Sequence, residues 1–457
     1  MVGLMEVYDR RASTLISELE VEYARRTPRS RELFERALKV FPGGVTYAIR
    51  YLKPYPPFIV KGEGPRLWDV DGNSYVDFWM GHGANILGHA PRIVLDAVAE
   101  ATKSGVHLGF ENPYALEYAE LLTKILPGVE MIRFANSGTE ANMYAVRLAR
   151  SYTKRNYIVK VEGGWHGGYD ALHTGVTPPF KGPESAGLPE DSIKYTIVVP
   201  FNDLEAAEEA LKKYPVAAII VEPVLGAGGC IEPEEGYLKA LRDLVDRYDS
   251  LLVFDEVITG FRLALGGAQE YFNVKADIAV YGKVVGGGYP GAGAIGGRGD
   301  VMQLLDHIKY PDPRSRSFHG GTFVGNVATV VAGYTTVKYL LENRSLYERA
   351  EELWGSVRRR VDRICSSGGE RLCWATGAGS MVGVHFTNVK PRRASDVYGG
   401  RWGKHVEEAL NLYARLNGIL YLSGRTAHLL PSLVHGEPEA RSFIEILEAY
   451  IARITRD

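Results

Sequence analysis

Short apolar runs alternate with amphipathic stretches through the middle of the chain, from about residue 83 to about residue 330. The apolar runs have the length and composition of buried strands, and the stretches between them repeat apolar positions at helical spacing. This alternation predicts a mostly parallel sheet with helices on both faces. The predicted helices lie near residues 91–104, 113–126, 138–153, 203–213 and 236–248, and the predicted strands near 130–134, 156–161, 195–199, 216–221, 250–254, 277–280 and 292–296.

Both ends of the chain follow a different pattern. Residues 11–40 are charged and helical in spacing, with a break at Pro28 that divides them into two predicted helices. Residues 58–78 predict a meander of short strands separated by glycine-containing turns. Further helices are predicted at 329–342, 345–365, 403–417 and 437–453, with a strand at 381–386.

The length of the chain favours two domains, because 457 residues exceed what one small core holds. We predict an α/β fold with a large domain of residues 76–330. Residues 1–75 and 331–457 are predicted to form a smaller α+β domain together. Neither an internal repeat nor a low-complexity tract is visible in the sequence.

Composition and charge disfavour several classes of protein. Charged residues account for 24%, apolar residues for 46%, and the net charge is −2, so we expect no nucleic-acid or anionic-membrane partner. No apolar run reaches the length of about 20 residues that spans a bilayer, and no secretory signal is visible at the N-terminus. Cys230, Cys365 and Cys373 are a sparse, odd set that predicts a reducing cytoplasm. Cys365 and Cys373 flank a possible turn, but we expect free thiols.

Lys283 follows an apolar run and precedes three glycines, within Val280-Tyr281-Gly282-Lys283-Val284-Val285-Gly286-Gly287-Gly288. A lysine at the end of a buried strand is costly unless it is paired or loses its charge, and a desolvated amine can form a Schiff base with an aldehyde. The flanking glycines let the backbone approach a flat cofactor. Taken alone, these residues favour a solvated lysine before a turn, because most lysines are exposed.

Carboxylates follow two further apolar strands. Glu222 comes directly after Ile219-Ile220-Val221, and Asp255 directly after Leu252-Val253-Phe254. The carboxyl ends of strands in an open parallel sheet form the ligand crevice, so these acids could bind a metal, act as acid and base, or face a cationic ring nitrogen. An isolated acid at such a position is more often a helix cap, but a neighbouring strand that ends in lysine weakens that interpretation.

Two glycine-rich segments suit an anion. Asn136-Ser137-Gly138-Thr139-Glu140 lies between a predicted strand and a predicted helix, where free N–H groups bind phosphate. Ser317-Phe318-His319-Gly320-Gly321-Thr322 also precedes a helix. Ordinary helix capping explains the first segment equally well. Trp165 and His166 lie between glycines at a strand end, where an indole can stack on a planar ring or close the edge of a core.

Other cofactor classes lack their motifs. Neither a Gly-x-Gly-x-x-Gly after the first strand nor a Gly-x4-Gly-Lys-Ser/Thr is present, which disfavours nicotinamide and nucleoside-triphosphate enzymes. Zinc-ligand spacing and a Gly-x-Ser-x-Gly elbow are also missing, so we expect no metal. The lysine, the acid, the stackable ring and the anion loops match what pyridoxal 5'-phosphate requires.

The order of these motifs resembles the class III pyridoxal-phosphate aminotransferases, and within them the branch that contains glutamate-1-semialdehyde 2,1-aminomutase. The likeness runs from about Phe41 to about His435. Its motifs include Phe41-Pro42-Gly43-Gly44-Val45, Asp69-Val70-Asp71-Gly72-Asn73, Leu87-Gly88-His89, Asn136-Ser137-Gly138-Thr139-Glu140-Ala141, Trp165-His166-Gly167-Gly168, Val221-Glu222-Pro223, Asp255-Glu256-Val257 and Gly282-Lys283-Val284-Val285-Gly286. The resemblance implies a fold-type I transferase and a homodimer with shared active sites.

Site residues follow from the resemblance. Lys283 is implied as the Schiff-base lysine and proton-moving base, and Asp255 as the partner of the pyridine nitrogen. Thr322 is implied to reach the phosphate of the neighbouring subunit's cofactor, and Trp165 to stack on the ring. The full set of implied cofactor-binding residues is Ser137, Gly138, Thr139, Trp165, His166, Glu222, Asp255, Val257, Lys283 and Thr322.

Substrate choice departs from the aminomutase pattern. The arginine that grips the substrate carboxylate is kept as Arg50, but bulky Tyr47 stands where the aminomutase has serine. Near the C-terminus the aminomutase has a glutamate that faces this arginine. Here the region is Gly424-Arg425-Thr426-Ala427, which lacks the acid and adds Arg425. Arg425 resembles the carboxylate arginine of β-amino-acid transaminases in this branch.

We therefore predict an aminotransferase that moves an amino group from an amino acid or amine donor to an oxo-acid or carbonyl acceptor. Glutamate-1-semialdehyde 2,1-aminomutase is the alternative, with a pyridoxal-phosphate racemase as a third. A cofactor-free binding protein on this fold would lack the yellow colour of the bound aldehyde. Specificity follows pocket residues rather than fold, and Tyr47 and Arg425 favour the transaminase.

Overall fold

A computed structural model describes residues 2–366, 371–423 and 427–455. Its helices are α1 (Val2–Arg26), α2 (Pro28–Ala37), α3 (Met80–Gly83), α4 (Arg92–Ala101), α5 (Pro113–Ile125), α6 (Gly138–Thr153), α7 (Glu190–Ile193), α8 (Leu204–Lys213), α9 (Tyr237–Arg247), α10 (Gly267–Tyr271), α11 (Gly299–Met302), α12 (Val327–Glu342), α13 (Ser345–Cys365), α14 (Ala394–Gly399), α15 (Lys404–Leu416) and α16 (Glu437–Thr455). Its strands are β1 (Ile59–Glu63), β2 (Arg66–Asp69), β3 (Ser74–Asp77), β4 (Met131–Ala135), β5 (Tyr157–Val161), β6 (Thr196–Val199), β7 (Val216–Val221), β8 (Leu251–Asp255), β9 (Ile278–Gly282), β10 (Gly293–Gly297), β11 (Trp374–Thr376), β12 (Val382–His385), β13 (Ile419–Leu420), β14 (Leu422–Ser423) and β15 (Ala427–Leu429).

A mostly parallel sheet forms the centre of the molecule, in the strand order β4-β10-β9-β8-β7-β5-β6. The β5–β6, β5–β7, β7–β8 and β8–β9 pairs are parallel, whereas β10 runs antiparallel to both of its neighbours. Strands β7, β8 and β9 are buried along their whole length, which explains their unbroken apolar sequences. The predicted sheet is confirmed, and the carboxyl ends of its parallel strands lie at one edge.

Two smaller sheets flank this centre. The first has the order β1-β2-β3-β13 and joins the N-terminal meander to a strand from the last part of the chain, since β13 pairs parallel with β3. The second has the order β11-β12-β15-β14. Helix α1 packs along α15, and α13 packs along α16. The N-terminal segment and the C-terminal region are therefore packed together, and the predicted domain division stays a prediction.

The N-terminal helix is longer than predicted, because it begins at Val2 rather than near residue 11. Leu15, Leu19 and Tyr23 face the core from this helix. Among the described helices, none has both the length and the apolar character that a bilayer crossing requires. The cytoplasmic location stays a prediction.

Cys365 and Cys373 are joined by a disulfide, so the prediction of free thiols is wrong for this pair. Helix α13 ends at Cys365, and the Leu372 amide donates to the Cys365 carbonyl oxygen at 2.8 Å. The two Cα atoms are thereby 5.0 Å apart, within the range that a disulfide spans. Cys230 is a free, buried thiol, as expected.

Candidate active site

Lys283 lies at the carboxyl end of β9 and begins a short 3-10 turn, Lys283–Gly286. Its φ angle is +50°, a left-handed conformation that is uncommon for a residue with a Cβ and is enriched at functional sites. Burial lowers the pKa of the Lys283 amine, and the nearby Asp255 and Glu222 carboxylates partly oppose that shift. The site therefore favours a larger fraction of neutral, nucleophilic amine than an exposed lysine has.

Asp255 is the last residue of β8, the strand beside β9, and is 2% exposed. Its Oδ2 accepts hydrogen bonds from Asn142 Nδ2 at 2.8 Å and from His166 Nδ1 at 2.7 Å. Its Oδ1 accepts from the Val257 amide at 3.0 Å. Burial lowers the pKa of His166, which favours a neutral ring with its proton on Nδ1, facing the carboxylate. Fixed donors of this kind hold Asp255 in one orientation.

Glu222 follows β7 and fixes the loop that carries Trp165. Its Oε1 accepts from the Trp165 amide at 2.8 Å, and its Oε2 accepts from the Gly226 amide at 3.0 Å. Burial, and secondly the neighbouring Asp255 carboxylate, raise the pKa of Glu222 to about 7. Trp165 is partly exposed and contacts His173 edge to face, with ring centroids 5.5 Å apart. Glu222 therefore holds the backbone at Trp165, and the indole packs against His173.

Lys160, a residue of strand β5, supports the loop that carries Trp165. This residue of β5 is fully buried, and its Nζ donates to the carbonyl oxygens of Gly164, Leu172 and Thr174 at 3.0, 3.1 and 2.7 Å. A buried ammonium requires such partners. The three bonds tie both ends of the Trp165 loop to the central sheet.

The segment that is predicted to bind phosphate lies at the N-terminus of α6. Ser137 is the N-cap residue, and its Oγ accepts from the Glu140 amide at 3.2 Å. A Cβ on Gly167 would come within 2.0 Å of Thr139 Oγ1, and a Cβ on Gly138 within 2.7 Å of the Val257 side chain. Glycine is therefore required at both positions for the strand ends to approach each other. Val257 closes the space between Gly138 and Gly282.

The described residues fit pyridoxal 5'-phosphate. A desolvated amine, a fixed carboxylate, a partly exposed indole and a hydroxyl-rich helix N-terminus surround one edge of the sheet, where glycines leave room for a flat ring. Asn136 Oδ1 and His166 Nε2 are buried there without a hydrogen-bond partner among the described residues. The donor set contains an amine and a carboxylate where the aldehyde and the pyridine nitrogen would bind.

The predicted substrate residues lie on a separate segment. Tyr47 is 45% exposed and stacks on His82, with centroids 5.9 Å apart, and Arg50 Nη1 donates to Thr46 Oγ1 at 2.9 Å. Arg50 and His82 line a cavity of about 590 Å³. Thr322 is exposed in a different loop, beside a second cavity. Arg425 lies outside the described residues.

Three contributors were not identified from the sequence. Asn142 lies on α6, among the buried residues Ala141 and Tyr144, and a buried amide on an apolar helix face was a detectable signal. Lys160 interrupts an apolar strand in the same way. His82 carries no comparable signal, because its position depends on an unusual backbone turn.

Comparisons with known proteins identify the family to which the chain belongs. Residues 47–451 match the family profile described as aminotransferase class-III. The glutamate-1-semialdehyde 2,1-aminomutase of Aquifex aeolicus is 44% identical over 371 residues, which cover 79% of this chain and 85% of that protein. The chain belongs to the class-III aminotransferase family.

Solved structures extend the likeness to almost the whole chain. A β-phenylalanine aminotransferase from Variovorax paradoxus superposes with a TM-score of 0.85 at 31% identity, over 96% of this chain and 97% of that one. A transaminase with PLP bound has a TM-score of 0.83 at 30% identity, over 94% and 98% of the two chains. The protein is therefore a fold-type I enzyme with pyridoxal 5'-phosphate as its cofactor.

Proposed function

We propose that this enzyme moves an amino group on a small carboxylated substrate at Lys283. The observation that supports this most strongly is the arrangement of a desolvated Lys283 beside Asp255, whose carboxylate is oriented by His166 and Asn142. Bound pyridoxal phosphate supplies an electron sink that stabilises negative charge on the substrate carbon. Lys283 lies at the same edge of the sheet, where its amine would act as the base that moves a proton from the substrate carbon.

The remaining residues hold and orient the cofactor. Asp255 would keep the pyridine nitrogen protonated, since its charge favours a proton on a neighbouring ring nitrogen. Ser137, Gly138 and Thr139 would bind the phosphate at the N-terminus of α6. Trp165 would cover one face of the ring, with its loop held by Glu222. Val257 would limit how far the ring moves between Gly138 and Gly282.

For the reaction itself we favour the intramolecular amino shift of a glutamate-1-semialdehyde 2,1-aminomutase. The 44% identity to an enzyme of that name, over 79% of this chain, outweighs the 31% identity to the aminotransferase structure. Arg50 would hold the substrate carboxylate at the entrance of the cavity. This order reverses the one that the pocket sequence favours.

Intermolecular transamination is the second candidate, and Tyr47 is the observation that favours it. Its ring stacks on His82 beside Arg50, where the aminomutase pattern has a small serine. The Variovorax paradoxus β-phenylalanine aminotransferase has the same fold and is 31% identical to this chain. An aminotransferase is therefore compatible with this fold.

One experiment separates the two reactions. Purified, pyridoxamine-loaded enzyme is given glutamate-1-semialdehyde with no oxo acid, and the product is followed over many turnovers. We expect sustained formation of 5-aminolevulinate. A transaminase would instead aminate the aldehyde once, be left in the pyridoxal form, and stop until an amino donor is added. On a separate sample loaded with pyridoxal phosphate, borohydride reduction followed by peptide mass mapping checks the attachment to Lys283, and Lys283→Ala is expected to abolish both the adduct and turnover. An unmodified Lys283 would contradict the proposal for either reaction.

A homodimer with shared active sites completes the proposal. Thr322 is exposed and lies in the loop that precedes α12. Such a position suits contact with the phosphate site of a second subunit.

A further inference from the structure

A turn of left-handed backbone lies beside Lys283 and carries His82. Met80, Gly81, His82 and Gly83 have φ angles of +49°, +60°, +61° and +79°. This conformation is unfavourable for residues with a Cβ, and it persists only where the surroundings fix it. Helix α3, which is this turn, packs against the 3-10 turn that begins at Lys283.

Buried contacts hold the turn in place. Arg262 Nη2 donates to the Gly83 carbonyl oxygen at 2.6 Å, and Nη1 of the same side chain donates to the Pro431 carbonyl oxygen at 2.8 Å. The side chain of Asn85 fills the space beside both Gly81 and Gly288, so the turn also contacts the glycine segment after Lys283. His82 is therefore presented on a rigid support.

The imidazole of His82 forms the middle of an aromatic wall. Its ring lies at 25° to the ring of Tyr47, with centroids 5.9 Å apart, and contacts Trp79 at 4.8 Å and 63°. Trp79 in turn contacts the buried His428 edge to face at 5.4 Å. We call Tyr47, His82 and Trp79 the aromatic wall.

The charges of Arg50 and Lys283 both act on His82 in the aromatic wall. Burial and these two charges lower the pKa of His82 to about 4, against the opposing charge of Asp77. The ring is thus neutral at physiological pH and within electrostatic reach of both cations. Arg50, Trp79 and His82 also line the cavity of about 590 Å³, together with apolar residues such as Ile49 and Phe58.

We propose that His82 is a specificity-determining residue that contacts the carbon chain of the substrate between its carboxylate and its reacting carbon. The inference rests on the proposed function, in which Arg50 binds the carboxylate and Lys283 faces the reacting carbon. His82 lines the cavity together with Arg50, and its turn packs against the turn that begins at Lys283. A neutral, flat ring at this place suits an apolar segment better than a charged one. The substrate class is therefore an amino or oxo acid whose carboxylate and reacting carbon are separated by methylenes or a flat ring.

Unreactive straight-chain carboxylates, from propionate to hexanoate, test this on the enzyme loaded with pyridoxal phosphate. Calorimetry measures the dissociation constant of each acid. In the wild type we expect each added methylene to tighten binding about fourfold, because it is buried against the wall. His82→Asn keeps a residue that tolerates the left-handed backbone but removes the ring, and we expect the gain per methylene to fall to about twofold or less. His82→Phe retains a flat ring and is expected to keep most of the gain.

Control variants separate the contact between His82 and the carbon chain of the acid from the other contributions to binding. Arg50→Gln is expected to weaken every acid by a similar factor and leave the gain per methylene unchanged. His307→Asn, at an exposed histidine, should match the wild type. The absorption band of the resting enzyme near 400 nm should be the same in wild type and His82→Asn, because His82 does not touch the cofactor in this proposal.

Two results would overturn the inference. One is an unchanged gain per methylene in His82→Asn, and the other is a shifted resting band, which would show that His82 acts through the Lys283 turn. Because the acids are not turned over, their measured dissociation constants do not depend on which reaction the enzyme catalyses. Loss of turnover with normal binding of the acids would contradict the proposed function and leave this inference intact.

Discussion

Gly167 shows at the scale of one residue how closely the site is packed. Its φ angle is +83°, and a Cβ there would lie 2.0 Å from Thr139 Oγ1. Gly168, the next residue in the same loop, has open space around it, with nothing within 4 Å of a Cβ. The two adjacent glycines therefore differ in what a methyl group would displace.

We predict that Gly167→Ala weakens the binding of pyridoxal phosphate, because Thr139 must move away from the phosphate. Loss of one charge-assisted hydrogen bond costs about 1.5–3 kcal/mol, so the dissociation constant should rise at least about tenfold. Equilibrium dialysis followed by fluorescence of the bound cofactor measures it. Gly168→Ala is the matched control and should bind the cofactor as the wild type does. Equal affinities in the two variants would contradict the role of Thr139.

Individual residues also show how far the sequence alone can lead. Lys283, Asp255 and Glu222 each end an apolar run, and parallel strands bring such ends to one edge, so their proximity follows from pattern. The bond from Asn142 to Asp255 does not follow, because it depends on the rotation of α6 over the sheet. His82 is harder still, since its turn is held by Arg262, a residue far away in the sequence that donates to the Gly83 carbonyl oxygen.

Strand β5 and the loop after it form the unit that holds Trp165. Lys160 reaches from the strand to three carbonyl oxygens of the loop, and Glu222 binds the loop from the neighbouring strand. The loop is thus fixed by polar groups rather than by apolar packing alone. Since the carbonyl acceptors are buried, they depend on Lys160 for their hydrogen bonds.

We predict that Lys160→Met destabilises the fold and loosens this loop. The substitution keeps the volume but leaves three carbonyl oxygens without their donor, at a cost of at least about 3 kcal/mol in the free energy of unfolding. Urea unfolding measures the loss, and a broader, red-shifted tryptophan emission of the cofactor-free protein reports solvent reaching Trp165. Lys181→Met, at an exposed position, should change neither quantity. Unaltered stability in Lys160→Met would show that the three bonds contribute little.

At the scale of elements, the strands were more predictable than their directions. The apolar runs of β7, β8 and β9 identify buried parallel strands, and the helices between them have clear amphipathic spacing. The sequence of β10, Gly-Ala-Ile-Gly-Gly, contains nothing that sets its antiparallel direction, which comes from its neighbours β4 and β9. The short strands β13 and β14 have too few residues for a period. The domain division at residues 76 and 330 stays a prediction.

On the scale of the whole molecule, exposed apolar side chains gather on one face. Val106, Leu108, Phe110, Phe318 and Phe323 are all exposed, and Phe110 is 88% exposed. The loop that carries Phe318 is nevertheless held in place, because Arg147 Nη1 donates to the Phe318 carbonyl oxygen at 3.1 Å and His319 Nε2 donates to the Phe134 carbonyl oxygen at 2.8 Å. Apolar groups on fixed loops indicate an interface, since exposed patches of this kind are rare on monomers.

The same face carries Thr322 and surrounds a cavity of about 500 Å³, whose lining includes residues 107–112, 319–322, 324 and 325. If a second copy of the chain covers this face, Thr322 comes near the cofactor site of that copy, as the resemblance implies. Dimerisation and cofactor binding would then be coupled, because each subunit completes the phosphate site of the other.

We predict that Phe110→Asp converts the protein to a monomer and weakens its binding of pyridoxal phosphate. A charge at the centre of an apolar interface is costly to bury, and the separated subunits lose the hydrogen bond from Thr322. Sedimentation velocity measures the mass, and cofactor titration at the same protein concentration measures the affinity, which should fall about tenfold. Val389→Asp introduces the same charge at an exposed apolar position after β12 and should leave both values unchanged. Should Phe110→Asp become monomeric with full cofactor affinity, Thr322 does not serve the partner's site, whereas a persistent dimer would place the interface elsewhere.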